Sequence, residues 1–244
     1  MNDTKITKYI LSVLIGDKGF YSVMTANKPI EYSKIMDKEY SVYYLDNLIT
    51  LHKRIDADKT AVFMEKQYIH PGNSIKSNFE IGYGFGLLRG CLYNNFNNFY
   101  IVDCRMWKTE LLNTYLNEEE RYFIRKREYN NLSELCSEDY RDFYLSRIRA
   151  YNKELIHRGR LNSYYLFNKL GLYKFIEKDS WKQDCLITSL MLGYWASNFA
   201  QQLTDLREIH DKYKRNNQIY HAKVKEDYRK IKLDNNKSEK ILTK

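Results

Sequence analysis

Glu65 is the residue whose chemistry most needs explaining. It closes the apolar run Ala61-Val62-Phe63-Met64, which reads as a buried strand. A carboxylate in such a place is costly unless it is paired, exposed or bound to a metal. In open α/β sheets ligands gather at the carboxyl ends of buried strands, and the simpler alternative is an ion pair with Lys66 or Lys76. Asp184 stands before Cys185-Leu186-Ile187, at the start of a long apolar helix, where the helix dipole alone favours an acid. Asp179, five residues earlier, serves only from the helix N-terminus, where the role of N-cap acceptor competes. Asp17 belongs to Gly16-Asp17-Lys18-Gly19, which is ordinary turn chemistry. No Ser-His-Asp or Cys-His order points to nucleophilic catalysis, and the lone His70 and His157 fit structural roles better than metal or acid/base ones.

The elements that must position these residues follow from pattern. Lys8 to Ile15 reads as a buried strand, Phe20 to Thr25 as a second strand returning beside it, and Ile30 to Met36 as a third. Tyr40 to Ile55 carries Val42, Leu45, Leu48, Ile49 and Leu51 at helical spacing. Thr60 to Gln67 is a fourth strand, Ile75 to Leu92 a helix, Phe99 to Val102 a fifth strand, and Arg105 to Leu116 another helix. Residues 111–178 differ, being rich in Tyr and mixed charge, with helical stretches at Glu118–Arg127, Asp139–His157 and Leu161–Phe175. They read as a helical insertion packed on one side of the sheet. Trp181 to Leu203 reads as an apolar helix returning to the core, and Asp211 to Lys244 as a solvated helix fraying into a basic tail.

Gly82, Gly86 and Gly90 recur every fourth residue and share one helix face. Each costs about 1 kcal/mol relative to Ala, so the spacing predicts tight helix-on-sheet packing. Backbone approach to DNA or to a partner subunit is the sharper reading. Phosphate binding by a Gly-rich loop fits poorly, because neither Gly-Lys-Ser/Thr nor G-x-G-x-x-G after a strand occurs.

The 244 residues carry 40 Lys and Arg against 31 Asp and Glu, a net charge of +9. A basic balance favours nucleic acid through counterion release, or serves only as solvated surface. The run Arg147, Arg149, Lys153, Arg158 and Arg160 divides between the same two roles. Cys91, Cys104, Cys136 and Cys185 form no C-x-x-C pair, which argues against a zinc site and a disulfide scaffold. The first residues hold too short an apolar run for a signal peptide, and no stretch approaches the ~20 apolar residues of a membrane span. A cytoplasmic location without membrane contact is expected.

A strand ending in Glu65-Lys66, the loop Pro71-Gly72-Asn73-Ser74, a helix with close glycines and Arg89-Gly90, then a strand leading to Trp107-Lys108 together resemble the RuvC-like Holliday junction resolvases. The resemblance covers residues 8–110 and 179–195. It implies an RNase H-like α/β fold, a mixed five-stranded sheet flanked by helices. The helical insertion and a basic C-terminal helix or tail are additions to it. The domain plan is then a core of residues 1–110 and 179–203, an insertion of 111–178 and a tail of 204–244.

The resemblance further implies that Glu65 is a metal ligand, with Asp184, Asp17 and Asp179 as the remaining catalytic carboxylates around Mg²⁺, for which Mn²⁺ can substitute. The family's first Asp falls on Leu14 here, and Asp17 comes three residues later, where strand alternation sends it to the opposite face. The expected activity is metal-dependent cleavage of Holliday or other branched DNA by a homodimer. Lys66, Tyr68, Lys76, Arg89 and Lys108 are the expected DNA contacts. The competing expectation is a relative that binds branched DNA and no longer cuts it.

Overall fold

A computed structural model of the chain describes residues 8–15, 19–25, 28–35, 43–67, 72 and 74–198. All of them fall within one compact unit, Met1–Gln201. Asp17, Tyr68, His70 and the expected tail of 204–244 lie outside the described residues.

The strands are β1 (Tyr9–Leu14), β2 (Phe20–Thr25), β3 (Lys28–Lys34), β4 (Thr60–Glu65) and β5 (Asn98–Val102). They form one mixed sheet in the order β3-β2-β1-β4-β5. β2 runs antiparallel to both β1 and β3, and β4 runs parallel to both β1 and β5. β1 and β4 read as near-continuous apolar runs because both their faces are covered, as central parallel strands require. The expected order of three strands, helix, strand, helix, strand and helix is observed.

β3 starts earlier than its apolar pattern suggests. Pro29 pairs with Met24 inside it, and the register shifts between Val23 and Met24. An edge strand tolerates this, since it has no outer neighbour to receive a ladder hydrogen bond.

Alternation along the strands sorts the two faces. Leu11, Val13, Val62 and Met64 form a core with Leu48 and Leu51 of α1 (Tyr43–Arg54) and with Leu88 and Leu92 of α2 (Ile75–Asn95). The alternate set, which includes Ser12, Leu14, Phe63 and Glu65, faces the last described helix. In chain order the intervening helices are α3 (Cys104–Tyr115), α4 (Glu118–Lys126), α5 (Tyr129–Glu134), α6 (Glu138–Asn152) and α7 (Arg158–Lys169), and the last is α8 (Asp184–Asn198).

α8 crosses β1 and β2 closely because Ser189 and Gly193, one turn apart, are small. A Cβ on Gly193 would come within 3.0 Å of Ser12 Oγ and closer still to the Met24 sulfur. Ser12 Oγ donates to the Ser189 carbonyl at 2.7 Å, and Ser189 Oγ lies 3.1 Å from Ser22 Oγ. This buried hydroxyl cluster fixes α8 along its axis, and so fixes the residue at its N-terminus.

The final helix begins at Asp184 rather than Trp181, because Lys178–Lys182 forms a separate 3₁₀ turn. The stretch expected as one helix over Asp139–His157 stops at Asn152, and Glu154 turns the chain at φ 59°. α7 stops at Lys169, before Gly171 at φ 67°, and α5 has no counterpart in the sequence expectation.

The 111–178 helices hold an aromatic core of their own. The Tyr140 ring lies 4.9 Å from Trp181, 5.1 Å from Phe143 and 5.2 Å from Tyr173 between centroids. α7 packs on α3 and α8, so this part joins the sheet domain through them. No described helix is long and apolar enough to cross a membrane.

Candidate active site

Glu65 ends β4 on the α8 face of the sheet, and the register Val13↔Met64 puts Leu14 beside it on β1. α3 follows β5 directly, capped by Asp103, whose side chain accepts from the Arg105 amide at 2.8 Å. That cap sets Trp107 and Lys108 against Glu65. The indole Nε1 of Trp107 donates to Glu65 Oε2 at 3.1 Å, and Lys108 Nζ lies 3.5 Å from the same oxygen. Only 12% of the Glu65 side chain is exposed. Burial lifts its carboxyl above the ordinary glutamate range, while the Lys108 charge and the Trp107 hydrogen bond pull it part of the way back.

Asp184 opens α8 from the other side. The Tyr164 hydroxyl donates to its Oδ1, and Arg160 Nη1 pairs with its Oδ2 at 2.9 Å. Tyr164 is raised well above an ordinary phenol, first by burial and then by the Asp184 carboxylate, so it stays a donor across physiological pH. Glu65, Asp184 and Leu14 line one cleft of about 280 Å³, together with Lys108, Arg160 and Tyr164.

The expected residues divide sharply. Glu65, Asp184 and Lys108 are brought together. Asp179 is exposed on the 3₁₀ turn and does not line the cleft. It cannot share a helical face with Asp184, because α8 has not yet begun. Lys66 is exposed directly after Glu65, and its amide donates to the Val102 carbonyl at 2.8 Å. Lys76 and Arg89 are exposed on α2, which packs on the opposite face of the sheet, and Lys76 lies 3.9 Å from Glu80. Of the basic run in the insertion, Arg160 reaches the cleft. Arg158 instead donates to the Ile124 carbonyl at 2.8 Å, and Arg147 lies over the Phe143 and Tyr164 rings.

The glycines correct an expectation. Gly82, Gly86 and Gly90 do not pack on the sheet: all three are exposed, and a Cβ on any of them meets nothing within 4 Å. The buried side of α2 is Gly84, Leu88 and Leu92.

Glu65 and Asp184 are the two carboxylates that line the cleft, and Mg²⁺ is commonly held by one or two carboxylates plus substrate phosphates. A two-metal site needs more. Among the described residues no group of three or more His, Cys, Asp and Glu gathers where it could hold a metal ion. Leu14, 5% exposed, supplies no ligand at the end of β1.

No protein-family model matches the chain, and no curated protein matches it in sequence.

Proposed function

We propose that the chain is a RuvC-like, structure-specific DNA endonuclease of RNase H-like fold, acting on Holliday or other branched DNA. The observation that carries this reading is the joint lining of one cleft by Glu65 and Asp184, the strand-end and helix-start carboxylates the resemblance selects. The strand order β3-β2-β1-β4-β5, an antiparallel meander of three strands followed by two strands added in parallel, supports the same assignment.

Glu65 and Asp184 would hold Mg²⁺ or Mn²⁺, which supplies Lewis acidity toward a phosphodiester and an acidified water. Trp107 and Tyr164 fix the carboxylates by hydrogen bonds, and Lys108 and Arg160 balance their charge. With DNA in the cleft, these two cations stand where a phosphate brings further negative charge. Lys66 beside Glu65 extends the basic edge, and Lys76, Arg89 and Tyr68 remain proposed contacts for the arms of the junction.

A second reading, binding of branched DNA without cleavage, is favoured by the buried Leu14 and by the cation that each carboxylate already holds within the chain. Cleavage of a labelled four-way junction with Mg²⁺ by the wild type and by Leu14→Asp separates the two. Nicks by the wild type support the nuclease. Nicks only after Leu14→Asp support the binding protein, with Leu14 as the block. No junction binding by either protein overturns both readings.

A further inference from the structure

We infer that Arg160 is an exchangeable counter-cation of the cleft. In the free chain it closes Asp184 to a divalent metal, and it leaves for a phosphate when DNA enters, so that metal and DNA are taken up together. The inference rests on the nuclease reading above and adds an order of binding to it.

Asp184 has two unlike neighbours. The Tyr164 hydroxyl, on a residue only 2% exposed, donates to Oδ1. It is neutral, so it orients the carboxylate without opposing a second cation. Arg160 Nη1 holds the other oxygen, Oδ2, at 2.9 Å from a side chain that is 54% exposed. An ion pair so open to water is weak and easily exchanged. Its full positive charge nevertheless stands on the carboxylate oxygen that Tyr164 leaves open. Glu65 is held differently. Trp107 and Lys108 both meet its Oε2, and Lys108, 34% exposed at 3.5 Å, is the less accessible of the two cations.

The fold lets Arg160 move while α7 stays. Gly159 and Arg160 bring the first turn of α7 into the cleft wall. A Cβ on Gly159 would meet nothing within 4 Å, which leaves open space beside the guanidinium. Leu161 and Tyr164, both buried, anchor the same turns, so the exchange needs one side chain and no shift of the helix. A guanidinium suits the exchange, because its planar fork pairs phosphate oxygens as readily as carboxylate oxygens and never loses its charge. A phosphodiester in the cleft gives Arg160 a second anion for the one it releases. With metal alone, Arg160 would face a divalent cation without an anion of its own, which like-charge repulsion opposes. α7 lies outside the stretches that carry the family resemblance, so this cation is the chain's own addition to the cleft.

Two measurements on the full chain test this. Isothermal titration with Mn²⁺ in the absence of DNA compares the wild type, Arg160→Gln, Arg160→Lys and the double variant Arg160→Gln/Glu65→Gln. Fluorescence anisotropy of a four-way junction in EDTA compares the first three. Arg160→Gln should bind Mn²⁺ about tenfold tighter than the wild type, as removal of a unit charge beside a divalent ion requires. Arg160→Lys keeps the charge and should stay within about threefold of the wild type, and the double variant should lose the gain. At about 0.15 M salt, Arg160→Gln should bind the junction about fivefold more weakly, the share of one phosphate contact, while Arg160→Lys retains most of the affinity.

Unchanged or weaker Mn²⁺ binding by Arg160→Gln overturns the inference, since Arg160 would then only prop Asp184. A gain that survives in the double variant overturns it too, because the metal would sit elsewhere. Tighter Mn²⁺ binding with unchanged junction affinity also overturns it, since the guanidinium would not pass to phosphate. Neither measurement reads cleavage. A wild type that nicks junctions while Arg160→Gln gains no Mn²⁺ affinity removes this inference alone, and the expected affinities without nicking remove the nuclease reading alone.

Discussion

At the scale of single residues, the cleft is organised by hydrogen bonds that hold two acids in place. Glu65 depends on Trp107 for a neutral donor and on Lys108 for charge. Trp107→Phe keeps most of the ring and removes the donor, leaving a largely buried carboxylate oxygen with one partner fewer. It should lower unfolding stability by about 1–3 kcal/mol, measured by urea denaturation, and no change would show that the indole bond contributes nothing. Glu65 and Asp184 were legible in the sequence because each sits at an element boundary, a strand end and a helix start, whereas Lys108 was legible only through the Trp107-Lys108 pair of the resemblance. Arg160 was visible only as one cation in a run. Tyr164 gave no signal, because its role depends on α7 folding back onto α8, a non-local contact that periodicity does not encode. Leu14 was legible by position, as an apolar residue where the resemblance calls for an acid.

At the scale of elements, α8 and the α4–α7 pair decide whether the cleft keeps its shape. Gly193→Ala places a methyl against the Met24 sulfur and Ser12 Oγ, so the helix must shift. Overpacking of this kind should cost about 1–3 kcal/mol in thermal or urea unfolding, and an unchanged stability would mean that the contact relaxes freely. Glu120 ties α4 to α7. Its carboxylate accepts from Lys169 Nζ at 2.7 Å and from the Tyr165 hydroxyl at 2.6 Å, and it completes a capping box with Asn117. Burial alone would raise its pKa, but the hydrogen bonds from Lys169, Tyr165 and Asn117 hold it below the ordinary glutamate value of 4.5. A depressed folded pKa gives stability that is present in full above the unfolded value and is lost as pH falls through the folded one. Glu120→Gln should therefore lose about 2–3 kcal/mol at pH 7, and the gap from wild type should close as pH drops below 4.5. A gap independent of pH would contradict an ionised Glu120. The strands and the first helices were legible because central strands are apolar throughout. The breaks at Glu154 and Gly171 were not, since helical periodicity runs on past the residues that turn the chain.

At the scale of the whole molecule, the net charge of +9 and the basic edge beside the cleft predict DNA affinity governed by phosphate contacts. The logarithm of the association constant for a four-way junction should fall with the logarithm of salt concentration at a slope of about −3 to −5, as four or five neutralised phosphates require. Fluorescence anisotropy at several salt concentrations measures this, and a slope near zero would contradict a DNA-binding role. The overall α/β plan was legible, but the face taken by the α2 glycines was not, because spacing shows that residues share a side without showing which side the sheet covers. The central claim is that Glu65 and Asp184 form the working site of a branched-DNA nuclease. Its most direct test is cleavage of an end-labelled synthetic four-way junction with Mg²⁺ or Mn²⁺, with the wild type beside Glu65→Gln. The account predicts paired, symmetric nicks by the wild type and none by the variant, with junction affinity within about threefold of wild type, since the substitution removes no phosphate contact. Tight binding without nicks in either protein, or equal nicking by both, would contradict it.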